Sequence, residues 1–392
     1  MLMSTHILMP TRSMHFHGAG GMEMIVWDLA REFVLSGLRV TLLTTKIPDR
    51  PQKFSCEGVE IVALPDTKPG RYSTAWWRES KRYFLQELRD VNSVLSISAG
   101  AFGLLNLRSR FPNTRFIMQA HGTLIGEILS KWRSGLVKAW VRSLHDCLWL
   151  PRDLRAYPKF DFVVACGEAV EAALLRPPIS IVLPRNKVVL ICNGIDTRHF
   201  APNQAAGRHV RKTFGWTDEH EVVVSASRLH RQKGLHLSLS AFGVLGKRRP
   251  QARYLVIGDG PERILLERQA RSLGLAERVV FCGSLPREEV PAYLNAGDAF
   301  LFTTLRAEGL PLNVLEALAT GLPVVASTHL SHHLPGTEVG ALSHADDVAE
   351  LAALVERALH ASHASRSDRR SLLPETYSLR RCNAAYLDLL AR

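Results

Sequence analysis

No apolar run in the sequence reaches the roughly 18–20 residues that a membrane-spanning helix requires, which argues against a helical integral membrane protein. There is no Cys-x-x-Cys pair. Six cysteines (Cys56, Cys147, Cys166, Cys192, Cys282, Cys382) are scattered, several of them inside apolar runs such as VVACG and VVLICNG. That pattern argues against a disulfide scaffold or a thiolate metal site and suits buried free thiols in a reducing cytoplasm. The opening MLMSTHILMPTRSMHF carries no basic leader and no small-residue cleavage site, so it reads as a first strand and not as a signal peptide. Low-complexity tracts, short-period repeats and an Asp-x-Asp for a divalent cation are also missing.

What is present suits two soluble domains. The chain has 392 residues, too many for a comfortable single core, and its 46% apolar and 22% charged content is that of a globular protein. The net charge of +12 is uneven: residues 1–195 hold 25 Lys and Arg against 16 Asp and Glu, and the remainder 24 against 21. A basic excess attracts phosphate on nucleic acid, anionic lipid or substrate, although solubility alone explains it equally well. No nucleic-acid recognition module is visible, so nucleic acid is not expected as a partner.

Apolar periodicity alternates along the chain. HILM (6–9), a glycine-containing loop, the helically spaced MEMIVWDLAREFVLSG and the apolar RVTLLTT make a βαβ unit. After residue 220 the plan repeats: EVVVSASRL, ARYLVIGDG, RVVFCGSL, AFLFTT and PVVAS read as strands, with helical segments between them. Alternation of this kind predicts an α/β protein with doubly wound parallel sheets in both halves. A polar segment with Pro and Gly at 183–205 is the expected join. In open α/β sheets ligands bind beyond the carboxyl ends of the strands, and two such domains facing each other would put a ligand between them.

The informative residues fall in loops after strands. In TTLRAEGLPLNVLEALATGLPVVAS, Glu308 ends a strand-following loop, Gly309 permits a tight turn, Pro311 suits a helix start and Glu316 lies inside that helix. Free amides of Gly309, Leu310 and Leu312 at the helix start favour a diphosphate, flanked by carboxylates able to accept from sugar and ribose hydroxyls. A solvated helix start rich in Glu explains the same residues. Arg228 and Lys233 follow EVVVSAS in the next most informative loop. Two cations there can neutralise a diphosphate and the charge that grows on it as a glycosidic bond breaks, or form an exposed surface pair.

Together these segments resemble the retaining family-4 glycosyltransferases of GT-B fold. The resemblance rests on Glu-x7-Glu (Glu308, Glu316), Arg-x4-Lys (Arg228, Lys233), GDGP at 258–261 and NGID from Asn193 to Asp196 with Phe200 following. It implies two Rossmann-like domains with an interdomain cleft: residues 1–195 for acceptor, 196–374 for nucleotide sugar, and 375–392 as a terminal helix packing back toward the first. It further implies that Arg228 and Lys233 bind the donor diphosphate, Glu316 the ribose and Glu308 the transferred sugar, with Gly283–Leu285 near the base. Gly20 and Gly21 resemble the family's glycine loop, and His121 in FIMQAHGT a histidine beside the reacting sugar. Gly21 would stand on the donor side, and Gly20, Glu23 and Asn193 on the acceptor side. The resemblance implies a UDP- or GDP-linked donor, no metal and no further cofactor. Cys166-Gly167-Glu168 departs from a more usual Ser-Glu, and the shortened stretch around Glu338 leaves that residue's role open. His329, His332 and His333 read as a polar loop.

Residues 124–150 add a membrane question. Ile125, Leu129, Trp132, Leu136, Trp140 and Leu144 line one face at helical spacing, with Lys131, Lys138 and Arg142 opposite. RYSTAWWRESKRYF (71–84) repeats that mixture. Such a face suits an anionic inner leaflet and a lipid-linked acceptor, while a core-packed helix with a basic solvated side suits the pattern equally. A soluble transfer to a small acceptor and a non-catalytic nucleotide-sugar or polyanion binder stand as the other readings.

Overall fold

The computed structural model describes residues 5–18, 20–88, 90–133, 143, 147–305, 311–330, 342–364 and 368–392. They divide into two units: residues up to Gly194 together with Leu379–Arg392, and Ile195–Ser378.

Ile7, Leu8 and Met9 are all fully buried, so both faces of the first strand are covered. That is what a continuous apolar run in a parallel sheet requires. The first unit's strands are β1 (His6–Pro10), β2 (Arg39–Thr45), β3 (Lys53–Cys56), β4 (Val59–Leu64), β5 (Ser93–Ile97), β6 (Arg115–Ala120), β7 (Phe162–Ala165) and β8 (Val188–Leu190). They lie in the order β3-β4-β2-β1-β5-β6-β7-β8, parallel except for the β3–β4 pair. The order reverses between β1 and β5, so the crevice that binds ligands in such sheets lies beyond Pro10 and Ile97. Helix Gly21–Leu35 returns from β1 to β2. The terminal helix Leu379–Ala391 shares its core: Tyr386 meets Phe33 edge-on at 6.0 Å, and Arg115 Nη1 donates to the carbonyls of Leu389 (3.1 Å) and Leu390 (2.7 Å). A cation on the last carbonyls of a helix satisfies acceptors that no intrahelical amide can reach.

In the second unit β9 (Glu221–Ala226), β10 (Ala252–Ile257), β11 (Val279–Gly283), β12 (Ala299–Phe302), β13 (Val324–Ala326) and β14 (Leu342–His344) form a parallel sheet ordered β11-β10-β9-β12-β13-β14. Its reversal falls between β9 and β12. At the amino end of that pair, the fully buried Asp298 accepts from Val222 N (2.8 Å) and from Arg211 Nη2 (2.7 Å), and Arg369 stands 3.5 Å away. Two guanidiniums and an amide compensate the desolvated carboxylate.

The six cysteines are free, and burial pushes the Cys166 and Cys382 thiols up to about 12. Among the described residues no helix is long and apolar enough to cross a membrane. A helix covers Leu124–Arg133 and another Leu150–Ala156. Ile125 packs on the core, and Trp132 is 47% exposed. The side chains of Leu129 and Lys131, and residues Leu136, Lys138, Trp140, Arg142 and Leu144, lie outside what is described.

Candidate functional site

The second unit gathers its polar residues at the β9–β12 reversal. Arg228 is exposed just beyond β9, and Lys233 ends the short turn Arg231–Lys233 with its ammonium 5.4 Å above the Phe302 ring. Gly234 follows at φ +67, where a Cβ would stand 1.7 Å from the Thr303 carbonyl oxygen, so only glycine lets the two loops approach. The loops are joined further on: Leu305 N donates to Gln232 O at 2.8 Å, Thr304 Oγ1 to the same carbonyl at 3.2 Å, and Thr303 Oγ1 to Gly234 O at 2.7 Å. Lys233 is thereby held at the exit of β12.

GDGP buttresses the Arg228 loop from the other side. Gly258, at φ +125, would put a Cβ 2.0 Å from Ser227 O, and Leu229 N donates to Asp259 O at 2.9 Å. Pro311 caps the helix Leu312–Ala319, its carbonyl accepting from Val314 N at 3.1 Å. Asn313 Nδ2 ties that helix to the end of β9 by donating to Ala226 O at 2.7 Å. The start of the helix and the two cations therefore share one sheet end. Pro311 is buried and Leu312 half-buried; Glu308, Gly309 and Leu310 lie outside the described residues, as do His332, His333, Glu338 and the His329 side chain.

Glu316 faces the β11 loop. Its Oε1 accepts from Arg287 Nη1 at 3.2 Å, with the two side chains only 13% and 18% exposed. Arg287 also lies 5.1 Å over the Phe200 ring, and its carbonyl meets His199 Nε2 at 3.3 Å. Gly283 (φ +75) and the half-buried Leu285 belong to this same loop, so the residues expected near base and ribose are neighbours. Sequence reasoning missed Arg287. Its signal was a cation two residues beyond Leu285, beside a carboxylate that needs compensation once buried.

The first unit has its own cluster at the carboxyl ends of β1, β5 and β6. Gly20 caps helix Gly21–Leu35, and a Cβ there would sit 2.2 Å from Glu23 Oε2. Glu23 accepts from Ser13 Oγ at 2.7 Å, fastening the β1 turn to the helix, while Gly21 is exposed. His121 is half-buried after β6, its Nε2 3.0 Å from Gln119 Oε1. Desolvation, with Arg12 nearby, lowers its pKa to about 4, so the imidazole is neutral near pH 7. Arg12, which the sequence reading passed over, lies 5.9 Å over Tyr72, whose hydroxyl donates to Ile97 O at 2.6 Å. Asn193 is buried, donates its backbone N–H to Cys166 O at 3.1 Å, and has no partner on Oδ1 among the described residues.

A sheet reversal bearing cations, a helix start and a compensated carboxylate can hold a diphosphate and a vicinal diol. Residues 208–371 match the family model described as glycosyl transferases group 1, and residues 19–199 match glycosyltransferase family 4. Over 139 residues the chain is 40% identical to the GDP-mannose-dependent alpha-(1-6)-phosphatidylinositol monomannoside mannosyltransferase of Mycolicibacterium smegmatis, a match covering 34% of this chain and 36% of that enzyme. It is 27% identical to the mannosylfructose-phosphate synthase of Agrobacterium fabrum over 79% of this chain and 71% of that one. Among solved structures, the sucrose-phosphate synthase of Thermosynechococcus elongatus superposes with a TM-score of 0.78 at 20% identity, covering 99% of this chain and 98% of that one. At that identity it is the GT-B fold that is shared.

Proposed function

Because the chain belongs to the group 1, family-4 glycosyltransferases, we propose that it transfers a sugar from a UDP- or GDP-linked donor to a hydroxyl with retained configuration and without a metal ion. The observation that carries this reading is the joining of the β9 and β12 loops, which brings Arg228, Lys233 and the start of helix Leu312–Ala319 to one sheet end. In front-face substitution the bond from anomeric carbon to diphosphate breaks while the acceptor oxygen bonds the same face. The acceptor proton passes to the leaving diphosphate. Arg228, Lys233 and the helix amides stabilise the charge that collects there. Glu308 and the neutral His121 accept or donate at sugar hydroxyls, and Glu316, held by Arg287, accepts from the ribose. Gly21 completes the donor side.

The acceptor in this reading is a lipid-linked saccharide of surface polysaccharide or glycolipid assembly, met at the inner leaflet through residues 124–150. The named substrate of the mycolicibacterial relative supports it. A soluble sugar phosphate is the second reading, supported by the broader match to the mannosylfructose-phosphate synthase. A screen of UDP- and GDP-sugars for slow donor hydrolysis tests the enzyme and names its donor. Tight nucleotide-sugar binding without hydrolysis or transfer would instead mark a binding protein. Changing Lys131, Lys138 and Arg142 to Glu should abolish flotation with anionic vesicles if the membrane reading holds.

A further inference from the structure

Gln119 lies within β6 and His121 just beyond it, so in extended chain the two side chains leave on one face. Gln119 is fully buried, whereas His121 is half-buried. The 3.0 Å contact between His121 Nε2 and Gln119 Oε1 therefore occupies the inward edge of the ring, and Nδ1 makes no hydrogen bond among the described residues. A carbonyl oxygen only accepts, so this contact needs the ring hydrogen on Nε2 and leaves a lone pair on Nδ1. No other bond orients that amide. Gln119 Nε2 and the Tyr386 hydroxyl are buried near one another but close no hydrogen bond among the described residues. Arg12 acts in the same sense. Its guanidinium, exposed beyond β1, is the charge that acts on the ring, and its field favours a lone pair over an N–H on the outward edge. Burial and that guanidinium hold the imidazole neutral, so its tautomer decides whether it offers a substrate a donor or an acceptor.

We propose that Gln119 is a positioning residue that fixes His121 as its Nε2–H tautomer, so that Nδ1 meets the transferred sugar as an acceptor only. The site then selects a donor with a free hydroxyl opposite Nδ1 and rejects one in which that hydroxyl is missing, alkylated or replaced by fluorine. The selection rests on the reading above that His121 meets the transferred sugar; the tautomer does not.

Long-range proton–nitrogen correlation spectra of the full chain, isotope-labelled at histidine, read the tautomer directly. The His121 signals are those lost in His121→Ala. Near neutral pH the wild type should show Nε2 protonated and Nδ1 bare. Gln119→Met, of similar length, removes the acceptor and should populate both tautomers, while Gln119→Glu, which keeps an acceptor, should retain Nε2–H. A protonated Nδ1 in the wild type, or an unchanged tautomer in folded Gln119→Met, would overturn the assignment. Monodeoxy and monofluoro forms of the donor found in the hydrolysis screen give the functional readout. At the hydroxyl that faces His121 both forms should lower kcat/KM by about tenfold or more in the wild type, and neither should do so in His121→Ala. Fluorine accepts weakly and cannot donate. A fluoro donor that keeps full turnover where the deoxy form loses it would show His121 donating and would overturn the acceptor role. If no position on the donor couples to His121, the sugar contact falls and the selection falls with it, while the spectra still score the tautomer. The wild-type spectrum and the donor series need no Gln119 variant, so both halves can fail even where Gln119→Met does not fold.

Discussion

Arg211 and Asp298 meet at the amino end of β9 and β12, whereas Arg228 and Lys233 stand at the carboxyl end of the same two strands. The amino-end pair is almost wholly buried, its carboxylate compensated by Arg211, Arg369 and an amide. At the carboxyl end Arg228 is exposed and Lys233 half-buried over an aromatic ring. Charge sealed from water stabilises or destabilises the fold; charge left at a strand end keeps its field for a ligand. The two ends should therefore respond to mutation in different observables.

Asp298→Ala should produce the largest effect. It removes the carboxylate that two buried guanidiniums share and should lower unfolding free energy by about 3–5 kcal/mol, with turnover per folded molecule unchanged. A chemical denaturation series alongside donor hydrolysis would check this, and a turnover loss in the folded fraction would break the contrast. Lys233→Ala should do the reverse. Turnover should fall by about 10²–10³-fold with stability nearly intact, if Lys233 meets charge that grows in the transition state. Wild-type-like turnover in the folded variant would remove that role.

Arg287→Gln sharpens the comparison, since this arginine is largely buried yet pairs with a carboxylate at the site end. Donor KM should rise roughly tenfold with kcat little changed, and Arg287→Lys should recover part of the loss. An equal fall in kcat would mean that the pair serves the chemical step. The smallest effect near neutral pH concerns His121. Its folded pKa of about 4 lies below the ordinary 6.5, so the unfolded chain binds the extra proton first as pH falls. Stability should decline from pH 6.5 toward 4, and less steeply in His121→Asn. Donor hydrolysis should show no step near pH 6.5 that His121→Asn removes.

Much of the fold was legible because each central strand is a continuous apolar run, which water excludes regardless of partners. The four-residue edge strand β3, with sequence KFSC and partly exposed throughout, carries no such run and was not foreseen. Arg228 and Lys233 could be singled out since each follows a strong strand within a few residues. Arg287 could not, because its meaning depends on Glu316, 29 residues away, and on burial that no local pattern reports. Arg12 is a similar case: it gains significance only where β1 and β6 end on either side of β5, near the imidazole of His121.

The chain enters and leaves the second unit through paired segments, Ile195 N donating to Tyr377 O at 2.9 Å and Ile195 bridging Ser378. Only then does it supply Cys382, Tyr386 and Leu389 to the core of the first unit. During synthesis the eight described strands of that unit precede the second unit, yet the apolar surface around Phe33 stays uncovered until the terminal helix emerges. At ordinary elongation rates the gap is about ten to forty seconds. The first unit is thus born with its core open on one side, and a ribosome-bound chain stalled before residue 379 should be a chaperone client even though every one of its strands has been made.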